Sequence, residues 1–361
     1  MTGNILRRLF CAVLCIGLLC GCTAATESTE PPPEPAKTKA AAKREQVSVE
    51  VQRIETVAEV PPGDPELNGR LWEGPIPEDF DFRNRLFIDG ADTCYLIEMD
   101  GKMVRWGRNP ENIDAGWDGN DGIQPFSKRN VLVEDARKIT IGYLTTLAID
   151  CHENLWGWGY IDKLLLREGN SREPVKVLSG VKDMALGDFY AAAVRTDGRL
   201  QVWGRQEGWE EPVTIRTGVE KVYIAREVLL FLDAEHNLSY FQSGWSNKME
   251  GFLDEPVLLD TEVEDLQFLN FTHFLKLKTD GTVELPDYRQ SPQGTSRVLA
   301  KDGILINNSG YLTADGTFRR VEIKDDVIQV TTLASAYSVY NVNGDSIHLM
   351  KDGEIRVCLS E

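Results

Sequence analysis

Residues 192–204 read AAVRTDGRLQVWG: an apolar run, an Asp-Gly pair and a second apolar run ending in Trp-Gly. Gly198 stands where a three-residue hairpin loop needs a left-handed backbone, which glycine adopts without steric cost. Val194 and Leu200, three residues either side of Asp197, then face each other as a buried cross-strand pair. This stretch predicts a β-hairpin rather than a helix.

The same frame recurs without gaps in YLIEMDGKMVRWG (95–107), LAIDCHENLWGWG (147–159), LFLDAEHNLSYFQ (230–242), LKLKTDGTVELPD (275–287), GYLTADGTFRRVE (310–322) and SVYNVNGDSIHLM (338–350). The anchor position holds Asp100, His152, Asp197, Glu235, Asp280, Asp315 and Asn343. Glycine follows in five of the seven, as Gly101, Gly198, Gly281, Gly316 and Gly344. The two exceptions, Glu153 and His236, are each followed by an asparagine (Asn154, Asn237), a residue that also tolerates the left-handed region. The flanking pairs are Ile97–Met103, Ile149–Leu155, Leu232–Leu238, Leu277–Val283, Leu312–Phe318 and Tyr340–Ser346. A further strand precedes several hairpins and ends ten residues before the anchor at Gly90, Gly142, Gly187 and Ala225, where a small residue permits close backbone approach.

Anchor spacings of 52, 45, 38, 45, 35 and 28 residues average about 40, the size of a propeller blade. A solenoid would need capped ends, whereas a ring leaves no open sheet edge. The predicted fold is therefore an all-β, seven-bladed β-propeller spanning 47–361, its repeats clearest over 84–350. A ring of six is the alternative. Two segments of alternating character, VSVEV (47–51) and EIRVCLS (354–360), are candidates to complete the last blade.

Six residues after the anchors stand Trp106, Trp158, Trp203 and Phe241, the tryptophans each followed by glycine. With the Asp-Gly turn, the preceding strand and the loop GRNPENIDAGWDGNDG (107–122), this pattern resembles the regulator-of-chromosome-condensation repeat family. The resemblance implies a propeller whose Trp-Gly pairs close each hairpin and whose loops carry binding. Repeats five to seven depart from it, with Pro286, Val321 and Leu349 at the aromatic position.

Ahead of the repeats, Arg7 and Arg8 precede an apolar or small run from Leu9 to Gly21. Thirteen residues are too few for a membrane-spanning helix and fit a signal-peptide core. The run ends in Leu-Cys-Gly-Cys (19–22), which resembles a bacterial lipobox. That reading makes 1–21 a signal peptide and Cys22 the lipid attachment site, with two acyl chains for durable anchoring. It places the protein on the outer face of the bacterial cytoplasmic membrane or at the cell surface. Residues 22–46, rich in Thr, Pro, Ala, Lys and Glu, read as a disordered tether.

A net charge of −18 argues against a nucleic-acid partner, because an acidic surface repels phosphate. Cys94, Cys151 and Cys358 form no disulfide or zinc motif, and His152, His236, His273 and His348 are scattered. Asp118, Asn120 and Asp121 fail the order of a calcium loop. No metal, cofactor or catalytic residue is therefore predicted. Trp117, Trp209 and Trp245 lie in inter-hairpin loops outside the Trp-Gly positions and are the candidate anchors for a protein or glycan partner. The expected function is a lipid-anchored envelope protein that binds a partner through the loop face. The alternative is an envelope hydrolase acting on wall glycans through loop carboxylates.

Overall fold

A computed structural model describes residues 51–71, 85–88, 93–108, 123–142, 145–159, 162–166, 169, 171–187, 190–204, 209–225, 228–241, 255–269, 273–286, 296–324, 327–342 and 345–359. The chain divides between Ser48 and Val49, and the fold below belongs to the second unit. The expected signal peptide, Cys22 and the tether lie outside the described residues.

Apart from two 3-10 turns, at Phe126–Lys128 and Asp162–Leu165, the described elements are strands. They form seven sheets of four or five strands in a propeller ring, built from consecutive antiparallel neighbours except where the N-terminal strands join the last two blades. Two N-terminal strands come first, β1 (Val51–Val57) and β2 (Gly69–Arg70). Blade 1 holds β3 (Leu86–Ile88), β4 (Thr93–Ile97), β5 (Met103–Arg108), β6 (Ile123–Gln124) and β7 (Asn130–Val133). Blade 2 holds β8 (Ala136–Ile141), β9 (Thr145–Asp150), β10 (Asn154–Gly159) and β11 (Ser171–Ser179). Blade 3 follows with β12 (Val181–Leu186), β13 (Tyr190–Arg195), β14 (Leu200–Gly204) and β15 (Val213–Arg216). Blade 4 comprises β16 (Val219–Ala225), β17 (Val228–Asp233), β18 (Leu238–Tyr240) and β19 (Val257–Asp260). Blade 5 is β20 (Val263–Phe268), β21 (Phe274–Lys278), β22 (Val283–Pro286) and β23 (Ser296–Ala300). Blade 6 contains β24 (Gly303–Asn307), β25 (Gly310–Thr313), β26 (Phe318–Lys324) and β27 (Val327–Leu333), with β1 added in parallel outside β27. Blade 7 is formed by β28 (Ala336–Val342), β29 (Asp345–Met350) and β30 (Glu354–Cys358), completed by β2.

Six of the seven predicted cross-strand pairs are in register, from Ile97–Met103 to Leu312–Phe318. All twelve side chains are buried. Hydrophobic burial across a tight turn is a local event, which is why the spacing predicted it.

The seventh pair is corrected. Its hairpin turns at Asp352–Gly353, where Gly353 has φ +83° and Leu349 pairs with Ile355, both fully buried. Asn343 and Gly344 fall between β28 and β29, outside the described residues, and Tyr340 pairs with Ile347 instead of Ser346. The last anchor spacing thereby becomes 37 residues, like its neighbours. Ring closure is also more specific than expected. EIRVCLS supplies β30, the third strand of blade 7, and the fourth is the two-residue β2, while Val51 of VSVEV begins β1 on blade 6.

Each blade turns on a left-handed residue: Gly101 (φ +87°), Glu153 (+64°), Gly198 (+81°), His236 (+63°), Gly281 (+84°), Gly316 (+76°) and Gly353 (+83°). In blades 2 and 4 the strain stays in register on Glu153 and His236 and does not move to Asn154 or Asn237. The asparagines do other work. Asn154 donates its backbone N–H and Nδ2 to the Asp150 carboxylate at 2.8 and 2.9 Å, and Asn237 donates the same pair to Asp233 at 2.8 and 2.9 Å.

The reason for the fixed register is the neighbouring blade. The carbonyl of the left-handed residue accepts the N–H that opens the next blade's first strand. The pairs are Ala136 to Gly101 (2.7 Å), Val181 to Glu153 (2.8 Å), Val219 to Gly198 (3.0 Å), Val263 to His236 (2.9 Å) and Gly303 to Gly281 (2.9 Å). An unpaired buried N–H at each junction would cost about 1–3 kcal/mol, enough to offset the strain of one left-handed residue. At the opposite end of the first strands, a Cβ on Gly142 would lie 2.8 Å from Leu186 Cγ, so the small residue expected there is required by blade contact.

Candidate functional site

The first strands of blades 2 to 5 border a cavity of about 530 Å³. In six blades the pairing of the first with the second strand slips at one place, between Ala136 and Lys138, Val181 and Asp183, Val219 and Lys221, Val263 and Asp265, Gly303 and Leu305, and Ala336 and Ser338. A bulge re-aims the side chains around it. In blades 2 to 5 the residue after the bulge is Lys138, Asp183, Lys221 and Asp265, charges that alternate in sign from blade to blade and line the cavity.

These charges are engaged across blades. Lys138 pairs with Asp183, Lys182 with Glu220, and Lys221 with Glu264 at 3.7 Å. Asp183 Oδ2 also accepts the Val222 N–H at 2.9 Å. Asp265 Oδ1 accepts the Tyr223 hydroxyl at 2.7 Å and its neighbour's Leu266 N–H at 2.9 Å. Burial first, and then the charge and hydrogen bond of Asp265, push the Tyr223 hydroxyl well above its ordinary range, so it donates throughout neutral pH. The cavity lining thus holds neighbouring blades together. Asp183 and Asp265 are both buried and both spend oxygens on these bonds.

The repeat residues hold the turn-bearing face. Asp100, Asp197, Asp280 and Asp315 each accept the N–H two residues on, at 3.1, 3.2, 2.8 and 2.9 Å. The bond to Thr313 first, and the Thr317 N–H next, bring the Asp315 carboxyl down to about 2. Blades 2 and 4 achieve the same turn with an aspartate placed earlier. Asp150 Oδ1 accepts the His152 and Asn154 N–H groups at 2.9 and 2.8 Å, and Oδ2 accepts Asn154 Nδ2 and Trp156 Nε1 at 2.9 and 2.8 Å. Burial alone would raise the Asp150 carboxyl, but these hydrogen bonds outweigh it and leave the group below the usual carboxylate range.

Trp106, Trp158 and Trp203 are fully buried. Trp106 Nε1 donates to the Leu67 carbonyl at 2.9 Å and Trp203 Nε1 to Leu164 at 3.0 Å, each reaching the loop of the preceding blade. Phe241 takes the same place in blade 4, packed 5.4 Å from Phe231, and has no N–H to give. Trp209 packs partly buried against the cluster that contains Phe241, and its carbonyl accepts the Gly204 N–H at 2.7 Å. It belongs in part to the blade 3–blade 4 contact. Trp117 and Trp245 lie outside the described residues.

Sequence reasoning missed one grouping. Asp135, Cys151 and His152 each bring a ligand-type atom to within 4.8 Å of the other two, on the exposed turn face at the blade 1–blade 2 junction. Cys151 and His152 were visible as neighbours. Asp135 joins them only because the Cys151 N–H donates to its carbonyl at 2.7 Å.

With seven left-handed turns and seven sheets in hand, the comparisons with known proteins fall into line. The resemblance is to RCC1-repeat proteins. The ultraviolet-B receptor UVR8 of Arabidopsis thaliana is 28% identical over 136 residues, covering 35% of this chain and 30% of the receptor. The mitochondrial RCC1 domain-containing protein RUG3 of the same plant is 26% identical over 128 residues, covering 32% of this chain and 28% of that protein. The aligned stretch therefore spans less than a third of either relative. Among solved structures, Prp20p of Saccharomyces cerevisiae matches with a TM-score of 0.53 at 16% identity, over 74% of this chain and 81% of that one. Human WBSCR16 matches with a TM-score of 0.51 at 13% identity, over 70% and 87%. At such identities the structural likeness speaks for the fold alone: an RCC1-like propeller. No family model matches the chain.

Proposed function

We propose that this chain is a protein-binding propeller held at the bacterial cell envelope by a lipid on Cys22. The observation that carries the binding reading is a division of labour between the ring's two faces. Antiparallel connectivity puts the hairpin turns and blade linkers on one face, where backbone hydrogen bonds repeat from blade to blade. Toward the other face the third strands end and the fourth strands begin, and the sequence between them differs in length from blade to blade, as 109–122, 160–170, 205–212, 241–256, 287–295 and 325–326. Unequal loops on a repeating frame are where a propeller can vary its recognition without disturbing its core. Yeast Prp20p has binding properties toward Gsp1p and histones, and it has been solved with Kap60 bound. Those partners are its own. The acidic charge of this chain argues against a nucleic-acid ligand, since phosphate is repelled, and not against a basic protein.

Trp117, Trp209 and Trp245 are the proposed anchors for a protein or glycan partner, and Trp209 also packs against the core. Capture from envelope extracts by the displayed domain tests this. Replacing Trp117 and Trp245 by Ala is expected to abolish capture and leave the melting temperature unchanged. Retained capture removes the assignment. Envelope attachment has its own test: palmitate labelling is expected in the wild type and absent in Cys22→Ala.

A further inference from the structure

We propose that Asp135, Cys151 and His152 form a binding site for a borderline divalent transition-metal ion of the zinc type. The three side chains are exposed on the turn face, and their ligand atoms lie within 4.8 Å of one another. Cys151 Sγ and His152 Nδ1 stand 3.5 Å apart. Bonds of about 2.3 Å to sulfur and 2.0–2.1 Å to nitrogen or oxygen put neighbouring ligands of a tetrahedral zinc roughly 3.3–3.6 Å apart, so this edge already has the right length. One thiolate, one imidazole and one carboxylate suit zinc better than calcium or magnesium, which require oxygen alone. With three protein ligands, the fourth position is left to water.

The site is built on a rigid support. Four hydrogen bonds onto the Asp150 carboxylate hold the turn that carries Cys151 and His152. The Cys151 N–H to Asp135 carbonyl bond, at 2.7 Å, fixes the third ligand's backbone against it. Asp135 itself has φ +53°, at a junction position that is glycine in the next two blades, Gly180 and Gly218.

Blade 4 is the internal control. It builds the same turn from Asp233 to Asn237, with three of the four carboxylate bonds, but has Ala234 and Glu235 where blade 2 has Cys151 and His152. The turn therefore requires neither the thiol nor the imidazole, and their presence together beside Asp135 calls for another account. On binding, the Cys151 S–H bond breaks, a sulfur–metal bond forms, and the proton passes to solvent.

Asp135→Gly and Cys151→Ala take residues from the protein's own blades, and His152→Ala removes the imidazole without supplying another ligand. Zn²⁺ is titrated calorimetrically, and Co²⁺ spectroscopically, into the full chain and each variant. The wild type is expected to bind one equivalent more than any variant, with a thiolate-to-cobalt charge-transfer contribution lost in Cys151→Ala, while the metal-free melting temperature is unchanged in the Cys151 and His152 variants and no lower in Asp135→Gly, whose φ of +53° favours glycine. Equal stoichiometry and identical cobalt spectra overturn the site. Alkylation of the wild type gives an answer independent of the variants. Zn²⁺ is expected to block modification of Cys151 in peptide maps, and unchanged labelling at Cys151 also overturns it.

Discussion

Asn68 Oδ1 accepts the Val357 N–H at 2.9 Å, joining the N-terminal segment of the ring to its last strand across 289 residues. Asn68 Nδ2 donates to the Pro62 carbonyl at 2.9 Å, so the side chain is held from both ends. Beside it, β2 pairs Gly69 with Ile355 and Arg70 with Glu354. Trp106 of blade 1 meanwhile donates to Leu67. Residues 67–70 thus bridge the last blade to the first.

Opening that clasp should weaken the whole ring. Asn68→Ala removes the side-chain partner of the buried Val357 N–H and is expected to cost about 1–2 kcal/mol in chemical denaturation. Deleting 354–361 removes the fully buried Ile355 and Val357 and is expected to abolish cooperative unfolding. A truncated chain that melts like the intact one would refute this closure.

The left-handed turns predict substitutions of opposite sign. Gly316 has φ +76° with nothing within 4 Å of an added Cβ, so Gly316→Ala isolates backbone strain and should destabilise by about 1 kcal/mol. Glu153 is exposed at φ +64°, and Glu153→Gly should stabilise by up to about 1 kcal/mol. Urea midpoints of the two variants, read against the wild type, check both.

Asp150 receives four hydrogen bonds and is buried, whereas Asp197 is exposed. Asp150→Ala should therefore cost roughly 2–4 kcal/mol, well above the cost of Asp197→Ala. Because the folded state lowers the Asp150 carboxyl, its contribution is complete above the ordinary carboxylate range and is lost as pH falls through the depressed value. Acid titration of stability in wild type and Asp150→Ala should show the two curves converging at low pH.

His348 gives a second pH window. It is buried in blade 7, sharing a 2.8 Å hydrogen bond between Nε2 and Ser346 Oγ. Burial, with the nearby Arg320 and Arg356 charges, lowers it from 6.5 to about 4. The unfolded chain takes up this proton first, so stability is full above pH 6.5, falls between 6.5 and 4, and levels off below. The loss is up to roughly 3 kcal/mol. His348→Gln should flatten that part of the pH profile of unfolding free energy, and an unchanged slope would exclude the histidine as its source.

The parts of the fold legible in the sequence are those held by short-range contacts. Val194 and Leu200 meet across five intervening residues, and the Asp-Gly signal between them is a local steric fact. The seventh turn shows the limit of such signals. Asn343–Gly344 has a hairpin's composition, but the neighbouring Asp352–Gly353 carries the turn that pairs Leu349 with Ile355. Likewise, asparagine after Glu153 and His236 suggested a shifted left-handed residue, and the next blade's N–H decided otherwise.

By itself, the sequence determined the blade unit, its tight turn and its buried pair, since each follows from side chains a few residues apart. Only the tertiary structure decided which strand closes the ring, how cavity charges alternate, and that Asp135 meets Cys151 and His152. Those contacts join residues in different blades, or the two ends of the chain. Their partners are chosen by the geometry of the closed ring, which no local pattern of residues encodes.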